Sequence, residues 1–313
     1  MKQVFSGLAR GLALAMLTRF IAKDVTQMRF TLMTGLGGVE DYPALALAAE
    51  DCGFHSLAIP DSLFYPEVTE SDYPYMNTEA VRQALDGVPV LDPFVAMASM
   101  ATLTTRLRFY PAVMKVPVRQ PLVLAKALSS LAVISADRIS LGAGLSPWKE
   151  DFSYNGVDFD RRGILMDECL QIIRAAMSGE YTEFHSENYQ VGRMKLAPVP
   201  RRPVPLLIGG HAKPALRRAA RIGDGWISAN SDYESLKGML GTLNTLRCEY
   251  GTETNKDFEI HAFDMAASQP DDFKRLAELG VTDACVTPWN PYDPALDRES
   301  KVAAIKGFAE RIL

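Results

Sequence analysis

Histidines are the first candidates for proton transfer, because imidazole titrates near neutral pH without help from its surroundings. The sequence has four, His55, His185, His211 and His261, and they have no metal-ligand spacing. His55 precedes a strand and reads as a surface or packing residue. His185 falls in a long insertion, and His261 sits within a strand, as a satisfied core histidine would. The cysteines Cys52, Cys169, Cys248 and Cys285 are isolated, with no CxxC pair, so neither a zinc site nor a disulfide framework is signalled. GxSxG, HExxH and GxxxxGK[ST] are all absent. A chain with none of these devices points to a bound cofactor as the source of its chemistry.

Three glycine-containing segments carry the remaining signal. Residues 141–148 read LGAGLSPW. Small residues at the end of a buried strand leave room for a flat ring against the backbone, or simply make a tight turn. Ile208-Gly209-Gly210-His211 precedes a helix that begins near Pro214. Glycines before a helix N-terminus free backbone N–H groups to face an anion, the helix dipole favours negative charge there, and His211 could add a donor. A plain left-handed turn is the alternative. Gly223-Asp224-Gly225-Trp226 leads into a strand, with Asp224 as a turn former.

The elements that must position these segments alternate regularly. Short apolar runs at 29–33, 56–60, 107–116, 138–143, 205–208, 225–228, 258–265 and 285–287 read as strands. Helical patterns separate or follow them at 42–52, 93–103, 122–134, 162–177, 214–222, 233–250, 271–279 and 301–312. Continuously apolar strands are buried on both faces, the mark of a parallel sheet. Eight such strands with helices predict an α/β fold, a (β/α)₈ TIM barrel. A doubly wound open sheet is the competing fold, but it wants a glycine fingerprint after its first strand, and Gly35-Leu36-Gly37-Gly38 lacks the later glycine. Two insertions are expected: residues 61–91 after strand two, rich in Pro, Tyr, Asp and Glu, and residues 179–203 before strand five. The first leaves the C-terminal end of a strand, where barrel active sites lie, and its Phe64, Tyr65, Tyr73 and Tyr75 suggest a lid over a bulky apolar substrate.

Composition narrows the field. The 313 residues are 48% hydrophobic and 23% charged, which excludes a disordered chain. A net charge of −5 makes nucleic acid a poor partner. Residues 1–27 form an N-terminal extension outside the expected barrel domain of 28–313. Their apolar stretch, 12–17, is too short to span a membrane, which takes about 20 residues. The expectation is a cytoplasmic protein with a small-molecule substrate, no stable membrane insertion and a homodimer as one assembly open to it.

The stretches LAKALSSLAVISADRISLGAGLSPWKEDF, GVDFDRRGILMDE and PVPLLIGGHAKPALRRAARIGDGW, in that order, resemble the bacterial luciferase-like superfamily of flavin and deazaflavin oxidoreductases. The second is most similar to the branch that uses coenzyme F-420, a 5-deazaflavin. The resemblance implies a barrel with the cofactor, F-420 or FMN, at its C-terminal face. Gly142, Gly144 and Ser146 would line the tricyclic ring, and Gly209, Gly210 and His211 would hold the phosphate. A non-proline cis peptide in strand three, under the ring, would fall at Ala112–Val113. Many deazaflavin members carry Asp-His at the end of strand two, where this chain has Asp61-Ser62. Serine is no general base near neutral pH without an activating partner. Asp61 and Ser62 are the candidate catalytic pair, and the missing histidine argues against alcohol oxidation. The resemblance thus implies hydride transfer from reduced deazaflavin to an apolar organic substrate, or FMN-dependent monooxygenation. A non-catalytic flavin-binding protein is the reading from another class.

Overall fold

The computed structural model describes residues 28–35, 38–74, 77–291, 293 and 296–313. The expected extension at 1–27, and Leu36, Gly37 and Tyr75, lie outside the described residues. In chain order the elements begin with β1 (Arg29–Met33), α1 (Tyr42–Asp51), β2 (Ser56–Ile59), α2 (Thr78–Leu85) and α3 (Pro93–Ala101). There follow β3 (Arg108–Pro111), β4 (Met114–Lys115), α4 (Pro121–Ile134), β5 (Leu141–Gly144), α5 (Glu150–Ser153) and α6 (Arg162–Ala176). Then come β6 (Thr182–His185), β7 (Gln190–Met194), β8 (Leu206–Gly209), α7 (Lys213–Ile222), β9 (Gly225–Ser228) and α8 (Tyr233–Tyr250). The chain closes with β10 (Glu259–Phe263), α9 (Pro270–Glu278), β11 (Asp283–Val286) and α10 (Arg298–Ile312).

The main sheet is parallel throughout, in the order β3-β2-β1-β11-β10-β9-β8-β5-β4. β3 and β4 are the two halves of the expected third strand, separated at a cis Ala112–Val113 peptide. β4 pairs with β5, and Phe109 of β3 bridges Ile139 just before β5, so the sheet closes on itself into a barrel. The residues of β2, β5, β8, β9 and β11 are buried at every position, as parallel strands between a packed interior and a helical layer must be. Prolines in the first turns of α1, α3, α4, α7 and α9 start those helices where no N–H is needed.

Both insertions hold structure that an unbroken loop would lack. Residues 61–91 contain α2, whose Asn77 cap accepts the Ala80 N–H at 3.0 Å. Residues 179–203 contain the antiparallel hairpin β6–β7.

Inside the barrel the two ends differ in chemistry. At the N-terminal end Arg29 donates to Glu259 at 3.0 Å and to Asp283 at 2.5 Å. His261 contacts Glu259 through Nε2 at 3.0 Å and the Tyr110 hydroxyl through Nδ1 at 3.0 Å. Burial opposes charge on His261, but Asp283, Cys285 and Glu259 outweigh it and push its pKa up to about 10. Burial likewise opposes charge on Glu259, and His261, Arg29 and Arg108 hold it down at about 2. Above this ionic plug lies a small apolar cluster of Ala58, Tyr110, Leu207 and Ile227, roofed by Met33, Ala112 and Val113.

Candidate functional site

The roof of that cluster is the floor of the barrel's C-terminal mouth, where (β/α)₈ enzymes keep their sites. Val113 dominates the floor. A Cβ at Gly144 would stand 2.2 Å from Val113 Cγ2, and one at Gly209 would stand 2.6 Å from Val113 Cγ1. A Cβ at Gly142 would stand 1.9 Å from the Pro111 carbonyl oxygen. The room these three glycines leave is therefore taken by the chain's own strand three. The cis peptide, the valine and the glycines on β5 and β8 form one packed unit, whose upper surface is the half-buried pair Ala112 and Val113.

Ser146 turns inward instead of facing the mouth. It is buried, donates to the Asp151 carboxylate and accepts the Trp148 N–H at 3.1 Å. Asp151 also pairs with Lys115 Nζ at 2.6 Å, so the end of β5 is tied to β4 by a buried ion pair. Sequence reasoning missed Lys115 and Asp151. The only local hint was a lysine inside an apolar strand pattern, since lysine is seldom buried unless paired.

Asp61 is equally committed. Its two oxygens accept both Arg119 guanidinium nitrogens at 2.7 and 2.8 Å, and the Lys115 N–H at 2.8 Å. Its side chain is 1% exposed. Asp61 thus clamps the segment that follows the cis peptide. Ser62 differs: its hydroxyl makes a long bond, 3.4 Å, to the Phe64 carbonyl, and it lines a cavity of about 120 Å³ with residues 63–66, Arg82, Leu85, Val88, Val90 and Trp148. Two stacked ring pairs brace that insertion, Phe64 on Tyr154 at 5.4 Å and Tyr73 on Trp148 at 5.7 Å. The Lys149 N–H donates to Ser71 Oγ, and Thr69 Oγ1 donates to Glu150.

On the other side of the mouth, Gly210 takes φ +118°, a conformation that suits glycine. Its N–H points to the Ile227 carbonyl at 3.4 Å and its carbonyl accepts the Trp226 indole N–H at 2.9 Å. His211 Nε2 lies 3.1 Å from Ser228 Oγ. Burial pushes the His211 pKa down, against a hydrogen bond to the Ala229 carbonyl. A neutral His211 brings a hydrogen bond to an anion, not a charge. Ala212 caps α7 without a side-chain hydrogen bond to the first turn, where Pro214 has no N–H and the Ala215 N–H donates to the Ala212 carbonyl at 2.8 Å.

These features suit a planar cofactor with a phosphate. Ala112 and Val113 offer a flat apolar floor, the α7 N-terminus stands at one side, and the braced insertion stands at the other. The sequence model of the luciferase-like monooxygenase family matches residues 21–303. The chain belongs to that family. Family members are flavin- or deazaflavin-dependent oxidoreductases and monooxygenases, and the chain is an enzyme of that kind.

Among individual relatives, the Mycobacterium tuberculosis protein Rv0940c is 40% identical over 289 residues, covering 91% of this chain and 99% of the relative. An F420-dependent glucose-6-phosphate dehydrogenase of Tsukamurella paurometabola is 28% identical over 207 residues, 64% of this chain. That match spans 55% of the dehydrogenase's length. In fold, the chain is similar to the coenzyme F420 dependent tetrahydromethanopterin reductase from Methanopyrus kandleri, with TM-score 0.70 and 14% identity. That likeness covers 92% of this chain and 99% of the reductase. Among the described residues, no helix of this luciferase-like protein is long and apolar enough to cross a membrane.

Proposed function

We propose that the chain binds reduced coenzyme F-420 at the C-terminal mouth and reduces an apolar organic small molecule by hydride transfer. The observation that carries this reading is the Val113 floor, held by Gly144 and Gly209 beside the α7 N-terminus. The sequence stretch GVDFDRRGILMDE and the F420-dependent relative at 28% identity favour the deazaflavin. When bound, the deazaflavin supplies a hydride from its ring carbon and, unlike a flavin, does not activate oxygen well.

The residues of this chain set the direction of the reaction. Alcohol oxidation needs a base for the hydroxyl proton. Asp61 has both carboxylate oxygens engaged by Arg119 and the Lys115 N–H, and Ser62 offers a hydroxyl that donates but does not readily accept a proton. A donor at that position suits a substrate carbonyl, polarising a conjugated double bond toward hydride. A solvent proton would complete the reduction at the neighbouring carbon. Ala112, Val113, Gly209, Gly210 and His211 would hold the cofactor in this reading. Gly142, Gly144 and Ser146 would act indirectly, by fixing the floor and the Trp148 turn.

FMN-dependent monooxygenation is the second reading, favoured by the family's own description. Competition binding separates the two. The purified chain is titrated with F-420 and, separately, with FMN, following cofactor fluorescence. Preference for F-420 supports the proposal; retention of FMN that F-420 does not displace supports the monooxygenase.

A further inference from the structure

We propose that Lys115 is a positioning residue, which joins the strand carrying the floor to the 61–91 insertion and holds the span 62–73, with Ser62 in it, at both ends. The coupling is the same whichever cofactor occupies the mouth. Only the use made of Ser62 rests on the functional reading above.

Lys115 lies in β4, two residues after Val113, and pairs in register with Gly144 of β5. Its neighbours Met114 and Val116 are fully buried, and Lys115 itself is 9% exposed. Packing in such surroundings calls for no charge, and lysine is seldom buried unless paired. Its partner Asp151 is buried as well, with Oδ2 2.6 Å from the Lys115 Nζ. Desolvation offsets much of the attraction within a buried ion pair, so what this pair adds is position more than stability.

Two links run from Lys115 to the insertion. The first is through the main chain: the Lys115 N–H donates to Asp61 Oδ2 at 2.8 Å and so fixes the residue before Ser62. The second is through the ammonium. The Asp151 oxygen that meets Nζ also accepts the Ser146 hydroxyl, and Ser146 Oγ accepts the Trp148 N–H at 3.1 Å. Trp148, Lys149 and Glu150 then form a seat for residues 69–73. Tyr73 stacks on Trp148 at 5.7 Å, and the Lys149 N–H donates to Ser71 Oγ at 2.9 Å. Glu150 accepts the Thr69 hydroxyl at 2.8 Å and the Glu70 N–H at 3.3 Å. The seat has an anchor of its own in Phe152, which is fully buried and edge-on to Phe159 at 5.2 Å. Loss of the ammonium should therefore loosen the seat without unfolding the barrel.

Amide hydrogen exchange of the full chain, read by mass spectrometry, tests the coupling. Peptides covering 62–74 and 149–154 report on the seat, and peptides covering α3 and α4 report on the barrel. Lys115→Met keeps most of the side chain's length, removes its charge and leaves the main-chain link to Asp61 intact. It is expected to speed exchange about tenfold in the seat peptides and to leave α3 and α4 as in the parent. If the stranded Asp151 prevents folding, Lys115→Met/Asp151→Asn removes both charges and carries the same expectation. Ser146→Ala cuts the path one step further on. Combined with the loss of the Lys115 charge, it is expected to speed exchange by less than the product of the separate effects. Seat exchange unchanged by the charge-removing variants, exchange raised equally in α3 and α4, or effects at 115 and 146 that simply multiply would each overturn the proposal. Coupling found in a chain that binds neither F-420 nor FMN would support the role of Lys115 and overturn the functional reading instead.

Discussion

Gly144 shows how a single missing methyl group organises the site. Its partner is Val113, 31 positions earlier in the chain and 2.2 Å from where a Cβ would sit. Overpacking of a filled interior costs typically about 1–3 kcal/mol. We expect Gly144→Val to lower the unfolding free energy by at least that amount, and Val113→Ala in the same chain to restore part of it. Urea unfolding of both single variants and the double variant checks this; strictly additive effects would show that the two side chains do not meet. Asp61 gives a second residue-scale expectation. Breaking a buried ion pair by removing one partner costs about 3–5 kcal/mol, and the side chain of Arg119 is 16% exposed, which places Asp61→Asn toward the lower end. Unchanged stability with lost turnover would instead make Asp61 a reacting group.

At the scale of elements, β1, β10 and β11 meet in the ionic plug at the bottom of the barrel, and the plug makes stability depend on pH. Because the folded His261 pKa is raised, to about 10, its contribution is full below the unfolded value of about 6.5 and is lost as pH rises through 10. Because the folded Glu259 pKa is depressed, to about 2, its contribution is full above roughly 4.3 and is lost as pH falls through 2. Unfolding free energy is therefore expected to be highest between these limits. His261→Asn should flatten the alkaline slope and also shallow the acid limb, because His261 is a main cause of the depressed Glu259 pKa. Thermal melts from pH 3 to 10 check both limbs, and an unchanged alkaline slope in the variant would remove His261 from the account. These strands were legible in the sequence because burial on two faces writes itself as unbroken apolar runs. Helix α2 was not, since its eight residues are flanked by Pro-, Tyr- and Asp-rich chain that masks a short amphipathic turn. The hairpin β6–β7 was hidden for a different reason: its residues are only partly buried, so polar side chains fill most of the pattern. Within the site, the glycines drew attention by their type. Their reason lay in Val113 and the Pro111 carbonyl, contacts that spacing along the chain does not reveal. The same holds for Lys115 and Asp151, 36 residues apart and joined only by closure of the barrel.

The whole molecule separates its work between two ends. At the N-terminal end of the barrel Arg29, Glu259, His261 and Asp283 form one ionic cluster, while at the C-terminal end the ion pairs Asp61–Arg119 and Lys115–Asp151 fix the segments beside the floor. The C-terminal mouth has an apolar floor at Ala112 and Val113, the α7 N-terminus with His211 before it, and a braced insertion that begins beside Ser62. With both carboxylate oxygens of Asp61 engaged and Ser62 a poor proton acceptor, neither residue at the end of β2 is suited to take a proton, which is why the account expects reduction. Restoring a base by Ser62→His should introduce a pH dependence of hydride transfer near the reference value of about 6.5, shifted by burial; the parent's profile unchanged would show that position 62 does not face the reacting carbon. The most direct test of the central claim is a stopped-flow measurement under strict exclusion of oxygen. Reduced F-420 bound to the chain is mixed with a small conjugated ketone, and the return of oxidised deazaflavin absorbance is followed. The account predicts oxidation of the cofactor in step with loss of the substrate double bond. Cofactor that stays reduced, while in a separate run with oxygen present the same chain loaded with reduced FMN oxygenates the substrate, would contradict it.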